Sequence, residues 1–294
     1  MTLREKIQSG QFVICGEMTP PASPNAAAIE KNSRHFKGGI DAVNVTDNQS
    51  AVVRMSSFAS SKILLDQGLE PIMQITCRDR NRIGIESDLM GASALDIDNI
   101  LCLTGDHQSF GDDPEARGVF DLDSIQLIAA VRGMNEGRLI SGKEMKRPTN
   151  FLIGGAANPF AEPLEMRVIK LEKKIAAGVH FIQTQPVFDL ELFAKWMDLV
   201  VAAGLQKRVA ILPGVMPVKS LRILEHMQAN IPGMRIDRSY FDRMSQAEDP
   251  QDEGLRIAVE IAHEVRRISG ISGIHLLPVG WEKIVPTVLQ ELNF

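Results

Sequence analysis

Short apolar runs rich in valine and isoleucine recur along the chain, and each is followed by a polar turn and a segment with helical spacing. Near-continuous apolar runs of this length are typical of parallel strands that are covered on both faces. The first four runs end about 30 residues apart, which is the length of one strand–helix unit. The pattern predicts strands at 12–18, 42–47, 70–76, 99–105, 151–157, 180–186, 208–214 and 273–279.

Helix start and stop signals fall between these runs. Ser23 is a good N-cap residue and Pro24 suits a first helical turn, so a helix is predicted to begin there and to end before Gly38. The segments 163–177 and 189–203 carry apolar residues at helical spacing, and a glycine follows each of them.

Strict strand–helix alternation without a break in composition predicts one α/β domain that covers residues 1–294. Eight such units favour a closed (β/α)8 TIM barrel, with insertions after strand four (106–123) and strand seven (229–254). An open doubly wound sheet is the alternative, but no GxGxxG motif follows the first strand.

Composition narrows the classes of partner. The chain has 294 residues and a net charge of −5, which argues against nucleic acid and anionic membranes. It has no apolar stretch of the ~18 residues that a membrane span needs, and Met1–Gly10 lacks the apolar core of a leader peptide. The three cysteines form no CxxC pair, so we expect a cytoplasmic protein without disulfide bonds or a metal site.

Polar side chains gather where the predicted strands end, which is where TIM barrels place their active sites. The set is rich in hydrogen-bonding groups and poor in cations, so it suits a neutral heterocycle better than a sugar phosphate. Its members are Glu17, Thr46, Asp47, Thr76, Asp106, Asn158, Gln183, Gln185 and His275.

Two carboxylates in this set are the strongest candidates for chemistry. Glu17 ends an apolar run, where a raised pKa would let it donate a proton, although it could also lie exposed at the barrel rim. Asp106 follows Gly105 and is suited to the amidine-like edge of a pterin, or else to capping a turn.

Amides and lysines supply further candidates. Gln183 and Gln185 alternate on one strand and so point to one face, either to recognise a heterocycle or to pack inside the barrel. Lys170, Lys173 and Lys174 form either a solvated helix face or a grip for phosphate.

These residues lie in segments that resemble the methylenetetrahydrofolate reductase family. The matching segments occur in order along the whole chain: GEMTPP (16–21), VNVTDN (43–48), MQITCRDR (73–80), LCLTGDH (101–107), Asn158-Pro159, KLEKKIAAGVHFIQTQPVFD (170–189) and ILPGVMPV (211–218). The segments 170–189 and 211–218, together with LTGD within 101–107, are the most specific.

The resemblance implies a flavin-dependent enzyme that reduces 5,10-methylenetetrahydrofolate to 5-methyltetrahydrofolate, with FAD, or FMN in its place. It implies that Glu17 is the general acid that opens the five-membered ring, that Asp106 holds the pterin near the flavin, and that Gln185 contacts folate. The implied flavin-binding positions are Thr46, Asp47, Gln74, Gly105, Asp106, Asn158, Ala161, Lys173 and Lys174.

The chain departs from the family pattern at aromatic and basic positions. Met227 stands about where an aromatic residue would stack on nicotinamide or folate, and Trp281 stands where an arginine would contact folate. The electron donor is therefore either NAD(P)H or an electron-transfer partner subunit, and a homo-oligomer is an open expectation. The alternative functions are a pterin-binding methyltransferase, a metal-dependent lyase, or a non-catalytic barrel subunit of a redox complex.

Overall fold

The computed structural model describes residues 1–231 and 233–293. Eight parallel strands pair with their neighbours in chain order, and the eighth pairs with the first to close a barrel. The predicted TIM barrel is confirmed. The strands are β1 Val13–Met18, β2 Ala42–Val45, β3 Pro71–Thr76, β4 Asn99–Leu103, β5 Leu152–Ala157, β6 Phe181–Pro186, β7 Ala210–Val215 and β8 Gly273–Leu276.

Helices surround the barrel and connect its strands. They are α1 Leu3–Gln8, α2 Ala26–Ser33, α3 Ser57–Asp66, α4 Arg82–Ala94, α5 Ser124–Asn135, α6 Leu164–Ala177, α7 Leu190–Ala202, α8 Leu221–Asn230, α9 Arg238–Gln246, α10 Pro250–Arg267 and α11 Val285–Leu292. Short 3₁₀ turns at Gln49–Ala51 and Gln108–Phe110 lie in the loops that follow β2 and β4. No helix among the described residues is both long and apolar enough to span a bilayer.

The barrel separates two hydrophobic cores. The larger core lies between the strands and the surrounding helices and includes Phe193 and Trp196 of α7. The smaller core fills the half of the barrel interior near the amino ends of the strands, which we call the lower half, with residues such as Val13, Cys15 and Phe181. Since side chains alternate along a strand, the inward positions that follow these residues lie at the upper end of the barrel.

Helix α1 closes the lower end of the barrel. Its Leu3 is fully buried in the smaller core, and the Leu3 backbone N–H donates to both Glu70 carboxylate oxygens, at 3.2 and 3.1 Å. Because this end is sealed by apolar packing, ligands reach the interior from the carboxyl ends of the strands.

The structure confirms most predicted elements and corrects one. Helices α6 and α7 match the predicted segments, and the insertion after strand seven contains α9. The first predicted helix starts too early, because Asn25, not Ser23, is the N-cap of α2: its side chain accepts from the Ala28 N–H at 3.3 Å. The loop 104–123, with its 3₁₀ turn, forms the predicted insertion after strand four.

Candidate active site

A polar cavity of about 470 Å³ opens at the carboxyl ends of the strands, and we call it the central cavity. Strands β1, β3, β4, β5, β6 and β8 all contribute side chains to its walls. It lies above the apolar packing of the smaller core, so a ligand bound here rests on a rigid floor.

Glu17 lies at the end of β1 and is 6% exposed. Its Oε2 accepts a hydrogen bond from Gln74 Nε2 at 3.1 Å, and the same oxygen lies 3.5 Å from His275 Nε2. Its Oε1 is buried and has no hydrogen-bond partner among the described residues. Burial raises the pKa of Glu17 to about 7, and the Gln74 hydrogen bond acts in the opposite direction. Glu17 is therefore a carboxyl group that can hold a proton near neutral pH.

Asp47 follows β2 and is fixed by a buried network. Arg80 donates to its two carboxylate oxygens at 2.8 and 3.2 Å, and the Thr76 N–H and hydroxyl donate at 2.9 and 3.0 Å. A bidentate arginine pair of this kind fixes geometry as well as charge. Arg80 also pairs with Asp88 at 2.9 Å, so this network ties the ends of β2 and β3 to α4.

Asp106 lies on the loop after β4, at the rim of the central cavity. Its Oδ2 accepts from the Ser50 backbone N–H at 3.2 Å, and its carbonyl oxygen accepts from Arg78 Nη1 at 3.2 Å. Arg78 also donates to the carbonyl oxygen of Asn48 at 3.1 Å. The guanidinium of Arg78 therefore joins the loops that follow β2 and β4.

Gly105 permits this close approach of the two loops. Its φ of +91° favours glycine, and an added Cβ would lie 3.0 Å from the Cβ of Arg78 and 3.2 Å from the Cβ of Thr76. The glycine thus lets Asp106 turn towards the cavity rim.

The opposite wall comes from β5, β6 and α6. Gln183 and Gln185 both line the central cavity, as their alternation predicts. Lys174 of α6 also lines it and donates from Nζ to the carbonyl oxygen of Ala156. Burial lowers the pKa of Lys174 to about 8. This lysine can thus supply a positive charge at the wall of the cavity.

The structure brings most of the predicted site residues together. Glu17, Asp47, Gln74, Gly105, Asp106, Asn158, Lys174 and Gln185 line the central cavity. Three others lie outside its lining: Thr46 is buried next to the end of β2, Ala161 is half-buried, and Lys173 is exposed on α6. The roles assigned to all of these residues, those in the lining and those outside it, stay predictions.

Arg78 and Arg80 are site residues that the sequence analysis did not single out. They flank Asp79 shortly after β3, and alternating opposite charges that follow a buried strand indicate ion pairs that hold neighbouring loops together. His275 is among the predicted polar strand-end residues, but only the structure brings it into contact with Glu17.

A second, more apolar cavity of about 630 Å³ adjoins the first, and we call it the side cavity. Gln185, Pro186 and Leu277 line both cavities, so the two are continuous. Methionine, isoleucine and proline side chains dominate the side cavity, Met227 of α8 among them, and its described lining contains no phenylalanine, tyrosine or tryptophan. The side cavity fits an apolar extension of a ligand held in the central cavity.

The central cavity has the composition of a site for a heterocycle. Buried polar atoms around it, such as Glu17 Oε1 and both ring nitrogens of His275, have no hydrogen-bond partner in the described part of the chain. Such atoms are expected to gain partners when a polar ligand binds. Within residues 1–231 and 233–293, no group of three or more His, Cys, Asp or Glu side chains is arranged to hold a metal ion.

Comparisons with known proteins agree on one family. The family model described as methylenetetrahydrofolate reductase matches residues 2–293. "Methylenetetrahydrofolate reductase 1" of Schizosaccharomyces pombe is 28% identical over 239 residues, which are 79% of this chain and 37% of the relative. The "5,10-methylenetetrahydrofolate reductase" of Pectobacterium carotovorum is 26% identical over 236 residues, 77% of this chain and 70% of the relative. The chain thus spans 37% of the length of the yeast relative and 70% of the bacterial one.

Among solved structures, one neighbour superposes with a TM-score of 0.71 at 17% identity and covers 99% of this chain and 96% of its own. It is described as an uncharacterized protein from Clostridium thermocellum that binds two copies of 5-methyl-5,6,7,8-tetrahydrofolic acid. A 2,3-dimethylmalate lyase aligns with a TM-score of 0.54 at 11% identity and covers 99% of this chain and 81% of its own. At these identities both matches speak for the barrel fold alone.

The raised pKa of Glu17 predicts a pH-dependent cost in stability. The folded state keeps this proton up to about pH 7, whereas the unfolded chain releases it near 4.5. The folded state binds more protons in that window, so its stability falls as the pH rises. Relative to wild type, the Glu17→Gln variant is expected to gain about 2–3 kcal/mol of unfolding free energy between about pH 5 and pH 8.

Urea denaturation at several pH values measures this difference. The exposed Glu291 of α11 provides the control, because Glu291→Gln should show no such trend. A stability difference between Glu17→Gln and wild type that stays constant with pH would show that the Glu17 carboxyl titrates in its ordinary range.

Proposed function

The chain belongs to the methylenetetrahydrofolate reductase family, and on that basis we propose that residues 1–294 form one catalytic domain that reduces 5,10-methylenetetrahydrofolate to 5-methyltetrahydrofolate. The observation that carries the proposal is the buried Glu17 carboxyl at the mouth of the barrel, whose pKa is raised to about 7. The reaction needs a proton donor at neutral pH, and Glu17 has the position and the acidity for that role.

The first step is the opening of the five-membered ring that contains the methylene bridge. One carbon–nitrogen bond breaks, the electron pair stays on the departing nitrogen, and the bridge carbon becomes part of a cationic iminium. A proton delivered to that nitrogen makes it a better leaving group, so a positioned general acid accelerates the step. Glu17 supplies this proton and becomes a carboxylate, whose negative charge lies near the cation and stabilises it.

Asp106 and Gln185 are the residues that orient the folate. Asp106 presents a carboxylate at the cavity rim, and a carboxylate accepts paired hydrogen bonds from the amidine-like edge of a pterin. Gln185 lines both cavities, so it lies where a pterin in the central cavity would continue into the side cavity. The tetrahydrofolate that the Clostridium thermocellum neighbour is described as binding supports folate as the ligand class.

The cavity walls also fit a flavin. Amide groups at Gln74 and Asn158 suit the polar edge of an isoalloxazine, Gly105 lets a planar ring approach the backbone, and Lys174 offers a cation to a phosphate. Asp47, which is engaged by Arg80 and Thr76, supports the wall at this place. A bound reduced flavin would supply the hydride that turns the iminium carbon into a methyl group. We propose FAD as the cofactor, with FMN as the alternative.

The side cavity bears on the electron donor. Nicotinamide recognition commonly uses a large aromatic ring for stacking, and the described lining of the side cavity has no phenylalanine, tyrosine or tryptophan. Met227 and the smaller imidazole of His226 lie in its wall instead. We therefore propose an electron-transfer partner protein as the donor, with NAD(P)H as the alternative.

Steady-state NADH and NADPH oxidation by the isolated, flavin-loaded chain separates the two donors. If a partner protein is the donor, the rates of NADH and NADPH oxidation are expected to be at least about 100-fold below the rate at which the dithionite-reduced flavin reduces the folate. A loss of about 3 kcal/mol of binding energy gives a factor of this size. Fast oxidation of either nucleotide would contradict the partner-protein proposal and leave the folate chemistry in place.

The Glu17→Gln variant tests the proposed acid. An amide fills the same space but cannot give up a proton, so flavin binding should be kept while folate turnover falls by about 10²–10⁴-fold. Glu291→Gln, on the outer surface, is the matched control and should keep full turnover. Turnover within a few-fold of wild type in Glu17→Gln would remove Glu17 from the mechanism.

A further inference from the structure

Two neutral side chains converge on one oxygen of Glu17. Gln74 Nε2 donates to Oε2 at 3.1 Å, and His275 Nε2 lies 3.5 Å from the same atom. The other oxygen, Oε1, has no hydrogen-bond partner among the described residues. The carboxyl group is therefore asymmetric, because polar side chains approach Oε2 and no described residue hydrogen-bonds to Oε1.

The strand register explains why these groups meet. In the β1–β8 pair, Cys15 is opposite His275, so Glu17 lies two residues further towards the cavity on the adjacent strand. Gln74 approaches from β3, on the far side of β2. The two side chains thus flank Glu17 from strands on either side of β1, which restricts its side-chain rotation.

The His275 ring is neutral in this setting. It is 4% exposed, and burial lowers its pKa to about 3. A neutral imidazole carries one N–H donor and one acceptor nitrogen. Neither ring nitrogen has a hydrogen-bond partner within the described part of the chain, so Glu17 Oε2 is available to the Nε2–H.

We propose that His275 is a positioning residue for Glu17: its Nε2–H and the Gln74 amide both donate to Oε2, which leaves the transferable proton on Oε1. This assignment rests on the proposed function for the identity of the proton acceptor, a folate nitrogen. An oxygen that already accepts two hydrogen bonds has less capacity to carry a proton. The proton therefore resides on Oε1, which is buried and has no hydrogen-bond partner among the described residues, in a residue that lines the central cavity.

The separation of 3.5 Å is about 0.5 Å longer than an ordinary N–H···O bond. Hydrogen bonds between catalytic groups are often long before the substrate binds and shorten in the complex. A movement of about 0.5 Å by either side chain would close the gap.

A matched pair of variants separates donation from space filling. Glutamine and methionine have similar length and volume, but only glutamine keeps an N–H donor, so His275→Gln retains the interaction and His275→Met removes it. The infrared band of the protonated Glu17 carboxyl can be assigned because it is absent in Glu17→Gln. Its titration with pH measures the pKa of Glu17 in each variant without any need for turnover. The other ionisable groups in the lining of the central cavity, Asp47, Arg78, Cys102, Asp106 and Lys174, are the same in both variants.

Loss of a donor to the carboxylate disfavours its charged form, so the pKa of Glu17 should rise. We expect the titration midpoint in His275→Met to lie about one pH unit above wild type, the size expected for one hydrogen bond to a charged group. In His275→Gln the midpoint should lie within a few tenths of a pH unit of wild type. Equal midpoints in the two variants would overturn the proposal, because a space-filling role does not distinguish them.

Nitrogen NMR of the wild-type chain with labelled histidine adds a test that needs no variant to fold. The proposal requires the proton on Nε2 of His275, and a proton on Nδ1 would overturn it.

Turnover supplies a third reading. His275→Met should lose kcat by about tenfold with an unchanged KM for folate, and His275→Gln should restore it. An infrared shift in a chain that turns over no folate would support the positioning role and refute the proposed function. Normal folate turnover with equal infrared midpoints would refute the positioning role and support the proposed function.

Discussion

The chemistry proposed for this site depends on the burial of one ionisable carboxyl group in the upper half of the barrel. Glu17 follows Val13 and Cys15 along the inward face of β1, so the same alternation that fills the lower core places a carboxyl above it. Burial raises its pKa to about 7. The barrel thereby holds a carboxyl group that can keep its proton near neutral pH, at some cost to the stability of the fold, and we propose that this group is the proton donor.

The surrounding residues limit the alternative chemistries. A lyase that uses Mg²⁺ needs free carboxylate oxygens, but Asp47 is engaged by Arg80 and Thr76. Asp106 is held at the rim by the backbone of Ser50 and by Arg78. The Asp47 carboxylate is thus used to fix loops, whereas Arg78 binds only the backbone carbonyl of Asp106. The Asp106 carboxylate, which accepts from the Ser50 N–H, presents one acidic edge, and a single such edge fits recognition of a heterocycle better than coordination of a metal.

The sequence carries most of the fold because the barrel strands are apolar on both faces. Each run from 12–18 to 273–279 stands out from its polar turns, and each lies on a strand of the closed barrel. The start of α2 was wrong because Ser23 and Asn25 are both good caps, and only the three-dimensional path of the chain decides between them. The pattern of polar residues at and just beyond strand ends also predicted that Glu17, Asp106 and Gln185 lie near one another, and all three line the central cavity. Their roles stay predictions.

The backbone path of the loop after β2 could not be predicted from the sequence. Asn48, Ser50 and Ala51 all adopt positive φ, at 46°, 55° and 59°, although none is a glycine. Tertiary contacts impose this path: a Cβ on Gly111 would lie 1.9 Å from the carbonyl oxygen of Ala51, so the two loops touch backbone to backbone. The contact of His275 with Glu17 likewise depends on strand register, which no local pattern reveals.

The central claim is that this barrel combines a flavin and a folate in one redox site. An anaerobic visible spectrum of the purified, flavin-supplemented chain, recorded before and after addition of 5-methyltetrahydrofolate, tests it most directly. The account predicts a flavin absorption band that bleaches on addition, because the folate methyl group returns a hydride to the oxidised flavin. A flavin band that stays unchanged, or no bound flavin after addition of FAD or FMN, would contradict the account.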